Sequence, residues 1–98
     1  MKQIKIRPGV VLLSVCDEHL LVATREARDA VPYVQQINGA AAYYWKLLEE
    51  NMELKIIIDK AAQHFNMPKI NALVAVNTFI NKLKDAGYII FEDQEETR

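Results

Sequence analysis

Cys16 and His19 have the spacing at which a thiolate and an imidazole can share a metal ion. A zinc site takes about four such ligands, and the only other histidine is His64. As a nucleophile, Cys16 would need a neighbouring base and a cationic pocket to hold its thiolate. The sequence sets only Asp17, Glu18 and His19 beside it, so the simpler reading is a turn with a half-buried thiol. Gly9, Gly39 and Gly87 stand singly and make no phosphate-cradling loop. Glu49, Glu50 and Glu53 fall at a helix junction, where solvated carboxylates interact with helix dipoles. Neither a nucleophile–base pair, a metal-ligand set nor a cofactor loop is present, so the sequence predicts no enzyme, no metal and no cofactor. Tyr43, Tyr44 and Trp45 could form a binding platform, but aromatics on a helical stripe usually pack. Tyr44 and Trp45 are therefore expected in the core, with Tyr43 showing its hydroxyl to water.

The chain that must position these residues has 98 residues, enough for one core and no second one. It is 51% hydrophobic and 26% charged, with a net charge of −1. That balance gives no basic field to attract nucleic acid or an anionic membrane. No apolar run approaches the roughly 20 residues of a membrane-spanning helix. Met1 to Arg7 lacks the apolar run and cleavage site of a signal peptide. One cysteine permits no internal disulfide and suits a reducing compartment, so the expected location is the cytoplasm.

The first third reads as β. Val10 to Val15 and Leu20 to Thr24 are apolar runs joined by the polar turn Cys16-Asp17-Glu18-His19, the pattern of an antiparallel hairpin. Arg25 to Ala30 reads as a loop. A third strand is expected from Val31 to Ile37, with Pro32 confining it to an edge or a strand start. Val34 and Ile37 cannot face the same side without a bulge, which leaves the inward face of this strand open. At Asn38, a good N-cap, the pattern changes to helical spacing. Ala41, Tyr44, Trp45 and Leu48 form the first stripe, within a helix from about Asn38 to Glu49. Asn51 is expected to cap a second helix carrying Leu54, Ile57, Ile58, Ala61, Ala62 and Phe65. Asn66-Met67-Pro68 ends it, and Pro68 suits the first turn of a third helix with Leu73, Val76, Phe79, Ile80 and Leu83 on its core stripe. Gly87 is a natural left-handed C-cap. Tyr88 to Phe91 can add a short strand, and the acidic tail from Glu92 to Arg98 is expected to fray. The expected fold is α+β and winged-helix-turn-helix-like: a three-stranded antiparallel sheet, then three helices. It forms a single domain over 1–98, with a core of about 8–92 and a flexible acidic tail over 93–98.

These residues resemble the PqqD-like domains, also called RiPP recognition elements. In that family the first helix opens on an apolar residue, Asn, two variable positions, two small residues, two variable positions and an aromatic, then apolar residues. Ile37, Asn38, Ala41, Ala42, Trp45, Leu47 and Leu48 fit this pattern. A second helix with the spacing of Leu54, Ile57, Ile58, Ala61 and Phe65 follows. The last helix closes on Phe79, Ile80, Leu83 and Gly87, with Ile89 and Ile90 beyond it. Gly39-Ala40 departs from the Glu and Thr that the family often carries there.

The resemblance implies a non-catalytic module that captures the leader segment of a ribosomally made precursor peptide. It presents the peptide to a modifying enzyme, often a radical-SAM protein. The leader would add a strand to the sheet edge and lie between the third strand and the third helix. On this reading the peptide runs along Val31, Tyr33, Val34, Gln35 and Gln36. It lies against the flank of the third helix carrying Asn71, Ala75, Thr78 and Lys82, with Phe79 at the border. Small Ala75 and Thr78 admit a strand, and Lys82 can pair with an acidic leader residue.

The alternative is a winged-helix DNA-binding transcription regulator reading DNA with the third helix. That helix carries Lys69, Lys82 and Lys84 against Asp85, with Asn71 and Asn77, and lacks the clustered basic residues of a major-groove reader. A structural subunit that packs on a larger protein is a further reading. An exposed edge strand also allows two copies to pair as a homodimer.

Overall fold

The computed structural model describes residues 2–29, 31 and 34–93. Its elements follow the order β1 (Lys2–Ile6), β2 (Val10–Val15), β3 (Glu18–Ala23), β4 (Val34–Ile37), α1 (Gly39–Glu49), α2 (Leu54–His64), α3 (Lys69–Ala86) and β5 (Ile89–Asp93). The fold is α+β. Its three-stranded antiparallel sheet has the order β2-β3-β4, and three helices follow it. A second, two-stranded sheet joins the ends of the chain, with Ile6 opposite Ile89 and Ile4 opposite Phe91. β1 has no hairpin signature in the sequence, because its partner strand lies at the far end of the chain. Arg7 ties the same junction, its backbone N–H donating to Tyr88 O at 2.9 Å and its Nε to Gly87 O at 2.6 Å.

The hairpin turn is tighter than Cys16 to His19. Val15 pairs with Glu18, and Cys16 and Asp17 both have positive φ, 49° and 66°, which is a two-residue primed turn matched to strand twist. Glu18 and His19 therefore belong to β3. Cys16 is exposed rather than half-buried, because a turn at a hairpin tip has nothing packed on it. At the other end of the hairpin Gly9 has φ +94°, and a Cβ there would lie 2.8 Å from Glu26 Cβ. The chain can close there only with glycine.

Asn38 caps α1, its side-chain oxygen accepting from the Ala41 N–H at 2.8 Å. The expected stripe is buried: Trp45 is fully enclosed, and Ala41, Tyr44 and Leu48 pack with it. The Trp45 indole N–H donates to a Glu49 carboxylate oxygen at 3.0 Å. Asn51 does not cap α2. It adopts φ 60° just past α1, with its N–H on Leu48 O, and Glu53 takes the N-cap position without a side-chain bond. Asparagine tolerates the left-handed region, so here it terminates one helix instead of starting the next. Pro68 is the N-cap of α3, and Gly87 closes that helix at φ 90°.

The buried stripe of α3 is Ala72, Val76, Phe79, Ile80 and Leu83. Leu73, expected on it, is 37% exposed. Ala72 takes the inward position, since the small side chain lets α3 lie closer to the core. Ile57, Ile58 and Ala61 of α2, Leu21 and Ala23 of β3, Ile89 of β5 and the linker residue Tyr88 pack into the same core. Among the described residues no helix is long and apolar enough to cross a membrane. The tail expected from Glu92 begins inside β5, and 94–98 lie outside the described residues.

Candidate functional site

β4 is an edge of its sheet, and the hairpin turn decides which of its backbone groups are free. The pair flanking a two-residue turn exchanges both backbone bonds, and bonded and non-bonded pairs then alternate along an antiparallel ladder. Val15–Glu18, Leu13–Leu20 and Val11–Val22 are thus the bonded pairs of β2 and β3. On the other side of β3, His19–Ile37 and Leu21–Gln35 are bonded, while Leu20–Gln36 and Val22–Val34 are not. The backbone N–H and C=O groups of Val34 and Gln36 consequently point out of the sheet. Side chains alternate across the same strand. Gln35 and Ile37 share a face with core residue Leu21, and Val34 and Gln36 face the outside. No bulge is required, which resolves the facing that the sequence left open.

One of these outward groups is already engaged. The Gln35 side-chain amide donates to Gln36 O at 3.3 Å, on an exposed strand.

Between this edge and α3 lies a groove of about 890 Å³. Gln35 and Gln36 form its strand wall, and Ala75, Thr78, Phe79 and Lys82 its helix wall. These six expected residues are brought together. Asn71 and Val34 do not line the groove. Val34 is 49% exposed on the outer face. Val31 precedes β4 and is buried in the core, and Tyr33 lies outside the described residues. The floor comes from α1, where Ala40, Ala41 and Tyr44 line the groove, with Asp85, Ala86 and Tyr88 at the end of α3. The sequence reading assigned Tyr44 to packing alone, yet it serves both core and groove. The small residues Ala40 and Ala41 in the first turn of α1 are the sequence signal that a chain could approach there.

The groove is apolar at its centre and charged at its rim. Lys82 and Asp85, one helical turn apart on α3, are exposed. Burial raises the Tyr44 and Tyr88 phenols above their ordinary range, so both are neutral at physiological pH. Tyr43, half-buried, stacks on His64 with centroids 4.0 Å apart and meets Phe65 edge-on. No cluster of metal-ligating side chains is found among the described residues. Cys16 and His19 do not pair: the His19 ring bonds the Ser14 hydroxyl at 2.7 Å.

A search of curated proteins gives no match. Among solved structures, TbiB1 in complex with the TbiA(beta) leader peptide superposes with a TM-score of 0.72 at 18% identity, covering 94% of this chain and 99% of that one. The likeness establishes the shared fold. The family model for coenzyme PQQ synthesis protein D (PqqD) matches residues 18–89, from the start of β3 to the start of β5. By that match the chain belongs to the PqqD family.

Proposed function

We propose that this protein is a non-catalytic carrier that binds the leader segment of a ribosomally made precursor peptide by strand addition to β4. The observation that carries the reading is the outward-facing backbone ladder of Val34 and Gln36, in which only the Gln36 carbonyl meets a side chain of the protein, that of Gln35, and which borders a groove walled by Ala75, Thr78 and Phe79. Outward N–H and C=O groups supply sequence-independent attachment, and the apolar groove below takes alternate side chains of the incoming strand. The superposed TbiB1 structure, which holds a leader peptide, supports the same use of the fold. Lys82 at the rim orients an acidic leader residue more than it adds affinity. A modifying enzyme, such as a radical-SAM protein, would act on the presented core peptide.

The lysines of α3 do not form a DNA-reading face. Lys69 pairs with Asp59 at 2.9 Å, Lys84 sits 5.1 Å over the Phe91 ring, and Lys82 lines the groove. Lys82 stands across the helix from the other two, so the three do not line one face.

The test is an NMR titration with the leader of a precursor peptide encoded beside this gene. Shifts at Val34–Ile37 and Ala75–Lys82 are expected. Shifts confined to the β2–β3 turn or to α2 would overturn the assignment.

A further inference from the structure

Lys82 and Asp85 are the charged residues that line the groove. They stand one turn apart on the same flank of α3 and are exposed, yet among the described residues they form no ion pair with each other or with any neighbour. The other lysines of this helix are engaged, Lys69 by Asp59 and Lys84 by the Phe91 ring. Asp85 is also unfavourable for the helix that carries it. It lies in the last turn of α3, two residues before Gly87, where the backbone carbonyls form the negative end of the helix dipole. Arg7 meets that end through Gly87 O at 2.6 Å and makes no ion pair with Asp85. A carboxylate that costs its helix stability and has no cation beside it, at the rim of a groove, is placed for a cation that enters the groove.

We infer that Asp85 is a specificity residue, selecting leader segments with a lysine or arginine two residues from the acidic residue that Lys82 takes. The inference rests on the strand-addition reading above. The groove follows α3 from Ala75 to Ala86, so an added strand runs along the helix. From Lys82 to Asp85 the helix rises about 4.5 Å. Two residues of a strand span about 6.6 Å and put both side chains on one face, a mismatch that a flexible lysine or arginine side chain absorbs. Adjacent strand residues face opposite sides, so a neighbouring acidic–basic pair cannot engage both partners.

The apolar part of the helix wall fixes the third position. From midway between Ala75 and Phe79 to Lys82 the rise is about 7.5 Å, one further two-residue step of a strand. The groove-facing side of the leader therefore reads apolar, acidic, basic at alternate positions, with the basic residue toward Gly87. A leader with its two charges exchanged meets like charge at both Lys82 and Asp85, which rejects it as well as failing to attract it.

The probe is the leader peptide encoded beside this gene, titrated by calorimetry at about 20 mM salt, where exposed charges are little screened. Asp85→Asn should weaken binding about two- to five-fold, as loss of an exposed ion pair does. Its melting temperature should hold or rise, because the carboxylate no longer opposes the helix dipole. Lys84→Gln, on the other side of α3, should leave affinity unchanged. Asp85→Lys should weaken binding further, and replacing the leader's basic residue by Glu should restore it. A leader without a basic residue at this spacing, equal losses in Asp85→Asn and Lys84→Gln, or no recovery in the exchanged pair would overturn the inference. Peptide-induced NMR shifts at Val34–Ile37 separate the two levels. With those shifts present and affinity unchanged in Asp85→Asn, only the role of Asp85 falls. Without them in the unsubstituted protein, strand addition falls and this inference with it.

Discussion

The Gln35 side-chain amide donates to the backbone carbonyl of Gln36 at 3.3 Å, on the edge of β4 that has no neighbouring strand among the described residues. It engages the acceptor that the proposed added strand would use, so a peptide N–H arriving there would compete with it for the same carbonyl.

Replacing Gln35 by Ala removes that competitor. Leader affinity, measured by calorimetry, should rise by about two- to ten-fold, the worth of one net hydrogen bond. An unchanged or weaker affinity would mean that the Gln35 amide turns to the peptide instead.

The helix wall of the groove is close because it is small. Ala75→Trp should fill the space that the strand enters and weaken binding by more than about tenfold, that is about 1.4 kcal/mol. Ala75 is only half-buried, so the melting temperature should change little, and a calorimetric scan beside the binding isotherm separates the two effects.

Much of this was legible in the sequence, for identifiable reasons. The change of period at Asn38 and the left-handed stop at Gly87 depend on local backbone chemistry, and both stand where expected. Helical spacing grouped Ala75, Thr78 and Lys82 on one flank with Phe79 at its border, but it was the family resemblance that set the groove beside that flank. The exceptions needed tertiary information. Leu73 and Ala72 are adjacent, and only the distance between α3 and the core decides which turns inward. Asn51 can end a helix or begin one, and the loop length settles it. The alternation of Ile4 and Ile6 was visible, but its partners Phe91 and Ile89 lie at the other end of the chain. Tyr44 is buried in the core and also reaches the groove floor, a double role that a single stripe does not reveal.

Trp45 is the largest fully buried side chain. Trp45→Ala should cost about 3–5 kcal/mol, read from urea unfolding at constant m-value. A loss within about 0.5 kcal/mol, typical of surface substitutions, would place the stripe wrongly.

At Gly9 the obstacle is both torsional and steric. Gly9→Ala carries the left-handed cost of about 1–2 kcal/mol and a further term for the 2.8 Å approach to Glu26 Cβ. Thermal denaturation should show a destabilisation larger than either Gly39→Ala or an exposed control.

Alkaline pH should destabilise the protein. Burial raises the Tyr44 and Tyr88 phenols in the folded state, whereas in the unfolded chain they ionise near pH 10. Below that pH both states hold the proton and the contribution is fully present. As pH rises toward the higher folded value, the unfolded state loses protons first and stability falls. Unfolding free energies measured from pH 8 upward should be flat to about 10 and then decline. Tyr44→Phe should make the decline shallower.

The central claim is strand addition at β4, and hydrogen exchange at single amides reads it directly. On adding the leader peptide, the N–H groups of Val34 and Gln36, which point out of the sheet, should become protected, while Gln35 and Ile37, already bonded to β3, should change little. Protection that leaves Val34 and Gln36 at their free-state rates while the peptide is bound would contradict the account.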